Sequence, residues 1–312
     1  MRIGIDPKVD YAFKRLFGHS KNGLLLCSLL NAILQWPPGR QIVVAIVMNP
    51  FIVQETFDGK SVVLDIRAQD QLGRWYNIEM QMRGHASLQE RVLFYWSSLY
   101  SQQLKYGENY TKLKPTISVL LMGDVLFPNL PDGHSRFRLW DDSKQQLFSE
   151  HLDIHVVELA KFSGELEDAQ SELERWVYFL KHAEDVEFEI WREKMPNTVF
   201  ELAAEELRQM AMNPLERERY DARLKGLRDY STDMQFEREE GLQVGLEKGL
   251  ELGRLQTSIA FLEMLLQLPA TLPDDLANRT LDDLRLQQAT LMETAREKGL
   301  SLPHAGMSAH KP

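Results

Sequence analysis

One cysteine in 312 residues, Cys27, excludes a disulfide within the chain and any zinc site built on cysteines. It lies in Leu24-Leu-Leu-Cys-Ser-Leu-Leu and reads as a small core hydrophobe. Long apolar runs are also missing. No stretch approaches the roughly 20 residues needed to cross a bilayer. The first ten residues carry Asp6 and Asp10, so no secretory leader is expected and the expected location is cytoplasmic. Positive charge is in short supply as well: 36 Lys and Arg face 46 Asp and Glu, a net charge of −10. That argues against a protein that coats DNA tightly, but not against an enzyme that touches nucleic acid locally. The deficit is uneven. Through Glu165 the chain carries 18 basic and 17 acidic residues, and beyond it 18 and 29. The first half can approach a polyanion, whereas the second half would repel one.

What is present is enough apolar residue, 44% of the chain, for a sizeable core and more than one domain. Asp6-Pro7 predicts a helix start, with Val9, Phe13, Leu16 and Phe17 at helical spacing. A second helix is expected from Leu24 to Leu34, stopped by Pro37-Pro38. From Phe51 the period changes to two. Strands are expected over Phe51 to Phe57, Ser61 to Ala68 and Trp75 to Met82, the first two joined by Asp58-Gly59-Lys60. A helix follows over about Ser87 to Lys105, then strands at Thr116 to Met122 and Ile154 to Leu159.

Alternation places Asp65 and Arg67 on one face of the second of these strands. Asn77, Glu79 and Gln81 share a face of the third. A turn centred near Leu72 would set Asp65 across from Glu79. Facing side chains on paired strands have Cβ atoms about 5 Å apart, and two like charges there repel. A divalent cation turns that repulsion into attraction, and with it a bound water can attack a phosphodiester. The plainer reading is two solvated acids on the polar side of a hairpin. Asp10 and Lys14 stand at i, i+4. They read equally as an exposed ion pair, worth about 0.3–0.5 kcal/mol, or as an acid carried toward the metal. Arg67 and Arg83 share strand parity with the candidate ligands and are candidate phosphate contacts. So are Lys14 and Arg91, whereas Tyr95 reads as packing. Glu55 reads as a solvated strand residue and His85 as a loop residue.

Six segments in order, Asp10 to Gly18, Leu64 to Asp70, Asn77 to Gln81, Arg91 to Trp96, Tyr106 to Pro115 and Val157 to Phe162, resemble the Rpn family of recombination-promoting nucleases, also described as PD-(D/E)XK nuclease family transposases. Together they span about residues 6 to 162. The resemblance implies an α/β fold with a restriction-endonuclease-like core, a mixed central sheet flanked by helices. It also implies Mg²⁺ or Mn²⁺ and cleavage of DNA. Asp65 and Glu79 would hold the metal, with the Met80 backbone carbonyl as a further donor. Gln81 stands where the wider superfamily has Lys, and would position the water.

After Lys161 helix formers and charge dominate, with breaks expected at Pro196, Asn213-Pro214 and Ser231-Thr232. Gly241, Gly245, Gly249 and Gly253 then recur every four residues. Each costs up to about 1 kcal/mol in a helix interior relative to Ala, so the segment reads as a linker or a self-association element. It is not a phosphate loop, since no strand precedes it. The expected organisation is a nuclease-like domain over 1–165, an acidic helical region over 166–235, a glycine-punctuated helical tail over 236–300 that forms homo-oligomers, and a disordered end over 301–312. The expected activity is metal-dependent DNA endonuclease hydrolysis linked to recombination or mobile elements. The alternative is a weakly catalytic or non-catalytic, self-associating DNA-binding or regulatory protein acting in phage defence or autoregulation. True transposition has little support, because no basic helix-turn-helix for recognising ends is present.

Overall fold

The computed structural model describes residues 2–48, 52–53, 62–63, 66–84 and 87–300. Two compact units divide at Gly226 and Leu227.

The first unit begins with α1 (Asp10–Phe17) and α2 (Gly23–Leu34), followed by β1 (Ala45–Val47). The helix expected from Asp6 starts four residues later. Asp6 instead closes a turn: its side chain accepts from the Lys8 amide (2.9 Å), its carbonyl accepts from the Val9 amide (3.2 Å), and Val9 is extended. Next come β2 (Ile52–Val53), β3 (Val62–Val63), β4 (Ile66–Asp70) and β5 (Trp75–Gln81). The sheet partner of β4 on its outer side is β1, paired Ala45 with Asp70, and not a strand beginning at Phe51. The short β2–β3 ladder pairs Ile52 with Val63, and the rest of the expected first strand lies outside the described residues. Then follow α3 (Leu88–Ser101), β6 (Thr116–Met122), β7 (His134–Arg138), β8 (Trp140–Asp141), β9 (Gln146–Leu147) and β10 (Leu152–Glu158).

Six strands form one mixed sheet in the order β1-β4-β5-β6-β10-β7. β5, β6 and β10 run parallel and the outer pairs are antiparallel. β6 is buried throughout, as a central parallel strand covered on both faces requires. One sheet face carries Ile66, Ala68, Tyr76, Ile78, Met80, Ile117, Val119 and Leu121 into the main core. α1 and α2 share that core with α4 (Glu172–His182), α5 (Phe188–Lys194) and α6 (Val199–Met212). Trp176 lies at its centre, edge-on to Phe17 and Phe179. α4 is fixed at its start by a capping box between Ser171 and Glu174. The opposite sheet face packs Leu120, Met122, Ile154 and Val156 against Leu88 and Val92 of α3.

The β4–β5 turn centres on Leu72, with Ile66 paired to Ile78 and Gln69 to Trp75. Gly73 adopts φ +78°, which only glycine takes without strain. Asp70 is buried in the turn. Its Oδ1 accepts from the amides of Leu72 (2.9 Å) and Arg74 (3.0 Å), and its Oδ2 accepts from the Tyr76 hydroxyl (2.7 Å) and from Arg74 Nε. Burial, with the Asp70 charge beside it, pushes the Tyr76 phenol up.

α7 (Pro214–Leu265) runs through Ser231-Thr232 without the expected break. Thr232 Oγ1 bonds the Arg228 carbonyl at 3.0 Å, which lets a hydroxyl residue stay inside a helix. Pro196 and Asn213-Pro214 do separate helices. Gly241, Gly245, Gly249 and Gly253 all lie within α7, with nothing within 4 Å of where a Cβ would stand. The second unit also contains α8 (Pro273–Ala277) and α9 (Leu281–Glu297), packed through Leu255, Ile259, Leu276 and Leu284. No helix among the described residues is long and apolar enough to cross a membrane.

Candidate active site

Alternation along β5 splits the strand between two environments. Tyr76, Ile78 and Met80 enter the main core, whereas Trp75, Asn77, Glu79 and Gln81 take the face that packs against α3. The neighbouring strands extend the second set. Arg67 on β4 lies beside Asn77, while Ser118 and Leu120 on β6 lie beside Asn77 and Glu79. Arg91 reaches the same place from α3.

Glu79 is 4% exposed. Its Oε1 accepts a hydrogen bond from Asn77 Nδ2 at 2.8 Å, and its Oε2 lies 4.0 Å from Arg91 Nη2. Arg67 stacks its guanidinium 4.3 Å from the Trp75 ring centre, and burial lowers its pKa. Asn77 Oδ1, Ser118 Oγ and Arg91 Nε are shut away from bulk water without a hydrogen-bond partner among the described residues. Buried polar atoms are ordinarily paired. Several unpaired atoms around one carboxylate mark a place prepared for a polar visitor or ordered water.

Of the residues expected from sequence, Glu79 and Arg91 come together here, and Arg67 is next to them through Asn77. Gln81 is half-buried at the end of the same strand face. The Met80 side chain points into the core, and the role expected of it concerned only its carbonyl. Arg83 is exposed just past the strand. Asp10 is held by Arg223 Nε at 2.7 Å and by Lys14 Nζ at 3.7 Å, so the expected ion pair with Lys14 is present. Asp65 lies outside the described residues, as do Glu55 and His85. Tyr95 is buried, in keeping with packing. Asn77 and Ser118 were not among the expected functional residues. Asn77 shares Glu79's parity, and Ser118 is a polar residue inside an apolar strand, so both signals were available.

The donors fit a hard divalent cation, being carboxylate and amide oxygens without thiolate or imidazole. Among the described residues, no group of three His, Cys, Asp or Glu converges on one point.

The sequence model of the PD-(D/E)XK nuclease family transposases matches residues 7–237. No curated protein and no solved structure matches the chain. The match spans the sheet, α3 and the strand that carries Glu79, and the chain belongs to the PD-(D/E)XK nuclease family transposases, nucleases associated with mobile elements.

Proposed function

We propose that the protein is a divalent-metal-dependent DNA endonuclease with Glu79 and Asp65 as its acidic pair. The observation that carries this reading is the buried Glu79 carboxylate, which accepts from Asn77 and is bordered by Arg91 and by polar atoms unpaired among the described residues. The β4–β5 ladder reaches Ile66 opposite Ile78, and their neighbours in the sequence are Asp65 and Glu79. Mg²⁺ or Mn²⁺, when bound, would lower the pKa of a water and neutralise charge on the scissile phosphate.

The chain's own residues supply the rest. Asp65 and Glu79 would hold the cation, and the Met80 carbonyl would be a further donor. Asn77 fixes the Glu79 carboxylate so that one oxygen keeps its direction. Gln81 would orient the attacking water through its amide without lending it positive charge. Arg91, with Arg67, would meet the phosphate as charged, fork-shaped donors. Arg83 and Lys14 would extend contact along the backbone, and Asp10 would add an acid from α1.

The deciding experiment incubates supercoiled plasmid with the full chain in Mg²⁺, Mn²⁺ or EDTA. Nicking that needs metal and vanishes in Glu79→Gln and Asp65→Asn supports the reading. Nicking retained by either variant would overturn the assignment, and metal-independent binding without nicking would favour a regulatory DNA-binding role.

Self-association through the C-terminal helical region belongs to the same proposal. On α7, Leu242, Leu246 and Leu250 are exposed at four-residue spacing, each directly after a glycine. Leaving such a row in water is unfavourable, and a second helix could approach closely over the glycines. Sedimentation of Leu246→Glu against the unaltered chain tests it, with a smaller species expected from the variant.

A further inference from the structure

A second polar constellation lies on the other side of the sheet from Glu79. A cavity of about 200 Å³ opens among the loop after α2, the β4–β5 turn and the edge strand β7. Four arginines line it, Arg40, Arg74, Arg136 and Arg138, together with Trp36 and the acids Glu150 and Asp153. Strand pairing explains part of this convergence. Arg138 pairs with Asp153 and Arg136 with His155, so two arginines two residues apart share the face that Asp153 occupies.

The acids do not cancel the positive charge. Asp153 is 4% exposed and receives both Arg136 Nε (2.9 Å) and Arg136 Nη2, so its charge is taken up locally. Glu150 is matched by Arg40 at 3.2 Å. Arg138 makes no ion pair among the described residues and is exposed. Arg74 is buried behind the cavity, where Asp70 fixes its Nε and the Arg40 carbonyl accepts from its Nη2 at 2.9 Å. Its guanidinium carbon lies 3.6 Å from the Trp36 ring centre, and that of Arg40 lies 5.9 Å from the same ring. One indole thus steadies two guanidinium groups that would otherwise repel each other. Asp70 answers Arg74 from behind, so three arginines face two acids at the lining, a surplus of one positive charge, and those three arginines keep donors for a visitor. At ~30 Å³ per water the space equals about seven waters, room for a phosphate group with part of its hydration.

We propose that this cavity binds a phosphate group, through Arg40, Arg136 and Arg138, at a site separate from the one that contains Glu79. Guanidinium forks match phosphate oxygens in pairs, and arginine keeps its charge at any physiological pH. The same chemistry would accept inorganic phosphate, a terminal phosphate of a nucleic acid or a backbone diester.

The test is calorimetric titration of the full chain with inorganic phosphate, against sodium chloride at equal ionic strength. Saturable binding is expected, weakened at least about tenfold in Arg40→Gln/Arg138→Gln. Both side chains are exposed, and circular dichroism checks that the variant is folded. Binding unchanged in the double variant, or no saturable response in the unaltered chain, overturns the proposal. Arg91→Gln should bind phosphate as the unaltered chain does. Loss of binding in that variant would place the phosphate at the other site and also refute the proposal. A 5′-phosphorylated trinucleotide and its unphosphorylated counterpart then separate the sources. Binding of the first alone assigns a terminal phosphate, and equal binding of both assigns a diester.

Discussion

The two faces of the central sheet are built from the same strands and solve opposite problems. Toward α1 and α2, β5 presents Tyr76, Ile78 and Met80, and they are absorbed into one apolar core that also takes Trp176 and Phe200. Toward α3, the intervening residues are Asn77 and Glu79, also buried, amid polar atoms without partners among the described residues. Burial is nearly equal on the two sides, but what burial achieves is not. Apolar surface removed from water stabilises the fold at about 25 cal/mol per Å². A carboxylate buried to the same depth carries a desolvation cost that only polar partners offset.

Substitutions on β5 should separate the two roles cleanly. Glu79→Gln is expected to lower metal-dependent plasmid nicking about a thousandfold or more, equivalent to about 4 kcal/mol in the barrier. Its urea unfolding curve should stay within roughly 1 kcal/mol of the unaltered protein, since the amide preserves shape. Nicking at the original rate would remove chemistry from this face. One residue earlier, Ile78→Ala should cost about 2–5 kcal/mol of stability in the same unfolding assay. Its nicking, measured well below the melting temperature, should keep the metal requirement.

A third contrast uses pH. Burial, with the charges of His155 and Arg136 adding to it, holds His134 down at about 4 instead of 6.5. The unfolded chain therefore takes up the proton first, so this contribution is complete above pH 6.5 and is lost as pH falls through 4. Asp153 works in a lower window. Burial pushes its carboxyl up, but the His155 imidazole 3.3 Å away and the hydrogen bonds from Arg136 prevail and hold it at about 2, so its contribution fades between about pH 4 and 2. Unfolding midpoints at pH 7 and pH 5 should differ less in His134→Gln than in the unaltered chain. An equal difference would dismiss His134 as the cause. The smallest effect is expected from Ser118→Ala. Its hydroxyl has no hydrogen-bond partner among the described residues, so stability should change by no more than about 0.5 kcal/mol. A loss above about 1 kcal/mol would reveal an ordered water on Oγ.

Much of this was legible in the chain before any fold was known. The apolar run Thr116–Met122 is a strand from end to end, and the alternation around Leu72 placed the turn and gave Glu79 its parity. These are short-range patterns, fixed by period and turn chemistry. The edge strands were not legible. Ala45–Val47 is only three residues long, and His134–Arg138 mixes charge with a single aromatic, because an edge strand is half in water and its sequence need not alternate. The bond from Asn77 to Glu79 follows from side-chain direction that spacing alone does not give. The approach of Arg91 depends on how α3 settles across the sheet. The four arginines of the cavity come from three separated segments, so no local motif announces it.

The cluster around Asp70 has a reach well beyond its own turn. With two amides, a phenol and a guanidinium on a single carboxylate, it works as a clasp that allows β4 and β5 only one alignment. Sliding one strand by a single residue would exchange the two faces, turning Glu79 toward Phe13 and its neighbours and Ile78 toward Arg91. An insertion between Asp70 and Arg74 that broke this clasp would thus let the carboxylate change faces without altering any residue near it.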